Sequence, residues 1–217
     1  MAGFKDKSYN IGFETGFFEK ILDQLIACSI EMKAACLKTE NKLFNNENKI
    51  TNRLTENHLN NRLDYMRFIN QAPENYNPEN DTHKGIVDLK VVSPNHFWND
   101  SIYYIVECKR IDGNATLNKE YVINGVARFV GDSPKYTSRD KRNIMFGYIV
   151  NTVDIPNNVK KIEDLQDRLL PNVAAGKFVL TDSIDSECYI YSCKYKSTSN
   201  CKELRHLFYD FSDVMCG

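Results

Sequence analysis

Over residues 14–42 the apolar positions Phe17, Phe18, Ile21, Leu22, Leu25, Ile26, Ile30 and Ala34 recur at three- and four-residue steps, the repeat of an amphipathic helix. The polar, asparagine-rich stretch 45–49 reads as a break, after which Thr55 can cap a second helix carrying Leu59, Leu63, Met66, Phe68 and Ile69. That helix is expected to end before Pro73. Residues 73–84 concentrate Pro, Asn and Asp and read as a loop. Two β-branched and aromatic runs follow, 85–92 and 101–110, separated by a turn-rich segment, and they predict an antiparallel hairpin. Helical spacing returns over 118–130 through Tyr121, Val122, Val126 and Phe129, until Gly131 and Pro134 stop it. Beyond it, 143–151 predicts a buried strand, 159–170 a short helix, and 188–196 and 204–211 two further strands. This order predicts an α/β fold, a mixed central β-sheet flanked by helices, with a helical N-terminal extension over 1–50 and the main domain over 51–217.

With 217 residues, 42% of them hydrophobic, the chain is long enough to bury a sizeable core. A net charge of −1 excludes a polycation that coats nucleic acid indiscriminately, so any nucleic-acid site must be a local basic patch. No apolar run approaches the roughly 18 to 20 residues that cross a bilayer, and residues 1–10 lack a signal-peptide pattern, so the expectation is a cytoplasmic protein with no membrane partner. Seven cysteines without a CxxC pair fit reduced thiols. Cys188, Cys193 and Cys201 are too irregularly spaced to suggest zinc, and His58, His83, His96 and His206 show no ligand spacing. Trp98 reads as a packing residue.

Glu-x-Lys triplets occur four times, at Glu31, Glu40, Glu47 and Glu107. The first three fall in polar helical or loop sequence, where charge is cheap. Glu107 and Lys109 instead interrupt the apolar run Ile102, Tyr103, Tyr104, Ile105, Val106, where ionised groups are costly unless paired or bound to metal. Two residues apart on a strand, they share one face and leave Cys108 on the other. Asp88, across the hairpin, can bring a second carboxylate beside them. Carboxylates of this kind hold the Mg²⁺ that phosphodiester hydrolysis uses to neutralise the phosphate and activate water.

An Asp on one strand, GIVD at 85–88, then Glu-x-Lys on the next, VECKR at 106–110, with a glutamate on a preceding helix, resembles the PD-(D/E)xK nuclease superfamily. The likeness runs over about 55–150 and implies a restriction-endonuclease-like core. It further implies that Asp88 and Glu107 chelate Mg²⁺, with Mn²⁺ able to substitute, and that Lys109 orients the attacking water and phosphate. Glu56 is the candidate for the upstream helical glutamate and would assist a metal. Val87 stands where the family name has proline, and the polar residue of the following helix is open among Glu120, Asn124 and Arg128. The activity implied is a Mg²⁺-dependent endonuclease acting on DNA, in restriction and defence or in repair, with two-strand cleavage favouring a homodimer.

For the nucleic acid itself, Lys135, Tyr136, Arg139, Lys141 and Arg142 in KYTSRDKR are candidate phosphate contacts, joined by Lys84, Arg110 and Arg128. Three rivals remain at this stage. One is an ordinary cross-strand ion network, another a non-catalytic interaction module that keeps the fold, and the third a basic nucleic-acid binder without chemistry.

Overall fold

The computed structural model describes residues 7–62, 65–92, 103–136, 142–198 and 201–216. Helix α1 spans Lys7–Thr39. Its buried stripe runs Phe18, Ile21, Leu25, Cys28, Met32, Cys36, the steps of three and four that put side chains on one helical face. The sequence reading anticipated the first half of that stripe. It placed Ile30 and Ala34 on the same face, but both are exposed, because a period of 3.6 carries the stripe onto 28, 32 and 36 instead.

The expected break at 45–49 is instead the start of helix α2, Glu47–Asn57. Asn46 caps it, its side chain accepting from Lys49 N at 3.0 Å, and Ile50, Thr51, Leu54 and Thr55 form the buried face. The expected boundary at 50 and 51 therefore falls inside α2. Thr55 is interior to that helix rather than its cap, and its hydroxyl bonds back to Thr51 O. What was read as the rest of a helix and a loop is a long antiparallel ribbon, β1 at Arg67–Asn77 and β2 at Thr82–Val92. Phe68, Ile69 and the asparagines carry no helical signal strong enough to override the extended pairing with β2. The proline that argued for a loop sits on β1, an edge strand of the sheet, where a missing N–H costs least.

Strand β3, Tyr103–Ile111, pairs antiparallel with β2 as the sequence predicted, while residues 93–102, which hold His96 and Trp98, lie outside the described ones. Helix α3, Ala115–Ile123, connects β3 to the parallel strand β4, Arg142–Ile149. Helix α4, Ile155–Leu169, is capped by Asp154, which accepts from Asn157 N. Strands β5 at Ala174–Ala175, β6 at Val179–Ile184, β7 at Cys188–Lys196 and β8 at Cys201–Asp210 complete an eight-stranded sheet in the order β1-β2-β3-β4-β8-β7-β5, with β6 against β7. β3, β4 and β8 are parallel and the flanking strands antiparallel, so the sheet is mixed. One core packs α1 and α2 against Val91, Tyr104, Val106, Cys108 and Phe146, and the other packs α3 and α4 against Ile105, Ile111, Met145 and Phe208. Helices thus cover both faces. Among the described residues no helix is long and apolar enough to cross a membrane, and the cysteines are free thiols.

Candidate functional site

The site begins with a fault in the β1–β2 ribbon. Pairing runs through Asn70↔Leu89 and Ala72↔Val87 but skips the position between, where Gln71 has a left-handed φ of 49° and faces Asp88. On either side of the fault the strands change core: Phe68 and Leu89 pack with α1 and α2, whereas Ala72 and Val87 pack on the opposite face. Such a roll needs one residue out of the β region, and a left-handed residue in a strand supplies it. Gln71 also donates to Asp88 Oδ1 at 3.3 Å.

At the same level β2 parts from β3. Their ladder ends at Leu89↔Val106, one position before Asp88 would face Glu107. Beyond that point the N–H groups of Cys108 and Arg110 on β3 have lost their strand partner, and buried N–H groups must find another. Two carboxylates take its place: Asp88 Oδ2 accepts from Cys108 N at 2.8 Å, and Glu47 Oε2 of α2 accepts from Arg110 N at 3.2 Å. The fault therefore draws acidic side chains to the edge of β3.

On β3 itself Glu107 and Lys109 share a face with Ile105 and Ile111, and Cys108 packs in the other core, as period two requires. Lys109 Nζ lies 2.9 Å from Glu107 Oε1, 2.9 Å from Glu47 Oε1 and 3.7 Å from Asp88 Oδ2, and it donates to the Cys108 carbonyl at 2.6 Å. Arg128, in the turn after α3, brings Nη1 within 2.8 Å of Glu107 Oε1. Tyr136 donates to Glu107 Oε2 at 2.7 Å and receives a hydrogen bond from Arg128 at 2.6 Å. Glu107 is fully buried, and its Oε1 has charge partners but no aligned hydrogen bond. Burial, then the neighbouring Asp88 charge, push the Glu107 carboxyl up to about 7 against the opposing pull of Lys109, Arg128 and Tyr136. Burial works to lower the Lys109 ammonium, but Glu107, Asp88 and Glu47 outweigh it and hold it raised. The cluster opens to solvent through a groove of about 490 Å³ lined by Asn46, Glu47, Lys109, Arg110, Glu120, Asn124 and Arg128.

Of the residues singled out in the sequence, Asp88, Glu107, Lys109 and Arg128 come together. Glu56 does not join them. It lies nine residues beyond Glu47 on α2, about 13 Å along the axis, exposed and bonded to Asn70 Nδ2 at 3.1 Å. The helical glutamate at the site is Glu47, whose own Glu-x-Lys triplet looked like a polar break. Tyr136, expected as a surface phosphate contact, is buried beneath the site and its hydroxyl is engaged by Glu107 and Ile86 O. Arg110 and Arg128 border the groove, and Lys84 and Lys135 are exposed. Arg142 is turned toward α1, bonded to Thr15 Oγ1 and lying over the Phe18 ring, while Arg139 and Lys141 lie outside the described residues. His206, read as structural, is buried between the Tyr121 and Tyr195 hydroxyls.

Among the described residues, no group of three or more His, Cys, Asp or Glu side chains converges to hold an ion unaided. The oxygens present, those of the buried Asp88 and Glu107 carboxylates and of the Cys108 carbonyl, are of the hard type that Mg²⁺ prefers. Three carboxylates here meet two cations, Lys109 and Arg128, so a further positive charge is electrostatically favoured.

No family model, curated protein or solved structure matches the chain.

Proposed function

We propose that the protein is a metal-dependent phosphodiesterase that cuts nucleic acid, with Asp88, Glu107 and Lys109 at its centre and Glu47 in the role first assigned to Glu56. The observation that carries this reading is the convergence of Asp88, Glu107, Lys109 and Glu47 from three separate elements at the point where β2 leaves β3, beside an open polar groove. A structural ion pair needs no groove. The order α2, β1, β2, β3, α3, β4 supports the restriction-endonuclease-like core that the sequence resemblance implies, with DNA as the expected substrate.

Mg²⁺, when bound, neutralises the phosphate and makes a coordinated water more acidic. Asp88 and Glu107 are the residues to hold it, together with the Cys108 carbonyl. Lys109, once the carboxylates are occupied, is positioned to donate to the attacking water and the phosphate. Arg128 offers a second donor to the non-bridging oxygens. Glu47 keeps Lys109 at the mouth of the groove, and Gln71 orients Asp88.

A network without turnover is the competing reading, and the observation in its favour is that Lys109 already bridges Glu47 and Glu107. Incubation with linear DNA, circular DNA and RNA in Mg²⁺, in Mn²⁺ and in EDTA separates the two. Metal-dependent cleavage that disappears in Asp88→Ala and Lys109→Ala supports the enzyme; no cleavage of any of them in either metal sinks it.

A further inference from the structure

Phe44 is a large apolar side chain left 58% exposed, in the segment that leads directly into the active-site glutamate. Its exposure is built in. The preceding Leu43 is buried and pinned by two backbone bonds to the chain terminus, Leu43 N to Val214 O at 2.8 Å and Cys216 N to Leu43 O at 2.7 Å. With Leu43 fixed inward in an extended bridge, the next side chain is fixed outward. On its other side the segment is tied to β3 through Arg110 Nη1, which donates to Asn45 O at 2.9 Å and Asn45 Oδ1 at 2.7 Å.

One cation sits on this ring and others bond to the chain on either side of it. Lys49 Nζ lies 4.0 Å from its centroid, and Arg53 Nη1 donates to Asn41 O at 3.0 Å. Arg110 bonds to Asn45, the residue after Phe44, and Lys42 is exposed two residues before the ring. Glu47 is turned away into the site by Lys109, Asp213 beside Val214 pairs with Lys33, and Glu40 is exposed four residues before the ring. Asn46, two residues beyond Phe44, lines the groove above Lys109.

We infer that Phe44 is a stacking platform for an unpaired base of single-stranded nucleic acid whose backbone runs into that groove. This rests on the proposed nuclease reading for what happens in the groove, and deepens it by naming the substrate class: a single strand, or a duplex with unpaired bases beside the cut. Every base has an apolar face, so one rigidly presented aromatic ring among cations recognises single strands without reading sequence. A continuous duplex keeps its bases stacked on each other and offers none to Phe44.

Binding measured in EDTA, where phosphodiester cutting cannot intervene, tests it. Short labelled oligo-dT, oligo-rU and a blunt duplex are titrated with wild type, Phe44→Ala and Phe44→Trp. Phe44→Ala is expected to weaken binding of a single strand about 10-fold, with the duplex unchanged. Phe44→Trp retains affinity and its added indole fluorescence is quenched by the strand. A loss in the dT arm, the rU arm or both supports the inference and tells which sugar the groove accepts. Equal single-strand affinity for wild type and Phe44→Ala, or an equal loss for the duplex, overturns it. Cleavage by wild type alongside that negative result leaves the nuclease reading intact, whereas Phe44-dependent binding without cleavage in any metal sinks the nuclease reading and keeps the platform.

Discussion

Glu47 Oε1 lies 2.9 Å from Lys109 Nζ, joining the first residue of α2 to the charged face of β3. The other oxygen of the same carboxylate accepts from Arg110 N. A single side chain thus closes the edge that β2 abandons and positions the lysine.

Glu47→Ala is therefore expected to lower kcat by about 10- to 100-fold, the range for residues that orient a site's central groups. Glu56→Ala, at the far end of the same helix, is expected to leave kcat unchanged. Steady-state cleavage by the two variants side by side decides which glutamate belongs to the site; equal losses would contradict the assignment.

Glu107 gives a pH signature that can be read without substrate. Its carboxyl holds a proton more tightly folded than unfolded, being pushed up to about 7 from 4.5 by burial and by Asp88. The stability that this group brings is full below about pH 4.5 and lost as pH rises through about 7. Relative to Glu107→Gln, the metal-free wild type should lose on the order of 3 kcal/mol between those limits. Urea denaturation of both proteins in EDTA across this window measures the difference, and parallel curves would refute the shift.

Much of this was legible in the sequence and some was not, for identifiable reasons. Glu107 and Lys109 stood out because ionised groups in an apolar strand are rare, and their shared face follows from strand geometry alone. Asp88 followed from the hairpin. Glu47 was hidden by its setting: Asn45 to Lys49 is polar, and only the Asn46 cap followed by an acidic first turn marked a helix start there. Strand β1 was hidden more deeply, since Pro73 and three asparagines argue for a loop and the strand is made by its pairing with β2. For Gln71 no local signal exists. Its left-handed backbone answers to the roll of the ribbon between two cores, which only the tertiary structure reveals.

That backbone sets the next expectation. At a φ of 49° a β-branched side chain is strained, so Gln71→Val should cost on the order of 2 kcal/mol, while Gln71→Gly, which adopts the conformation freely, should stay within about 1 kcal/mol of wild type. Gln71→Gly nevertheless removes the donor to Asp88 and should raise the Mg²⁺ concentration needed for half-maximal cleavage by about 10-fold. Chemical denaturation and a metal titration check the two halves separately.

Gly125 stands between α3 and the turn at Val126–Arg128 that delivers Arg128 to Glu107. A Cβ there would press on the Tyr121 carbonyl and the Met145 side chain, and the backbone side of that clash cannot rotate away. Gly125→Ala should cost about 1–3 kcal/mol, as overpacking does. The displaced turn should also lower cleavage more than the stability loss explains. Thermal melts and kcat at a temperature where the variant is fully folded separate these effects.

The buried Asp88 and Glu107 carboxylates are proposed to hold a divalent cation, and calorimetric titration of the purified protein with Mn²⁺ is the direct test. A saturable site in wild type that vanishes in Asp88→Ala and in Glu107→Gln is the expected result. No binding heat in wild type, or binding that survives both substitutions, would contradict it and leave Lys109, Glu107 and Glu47 as an ion network that holds β3 to α2.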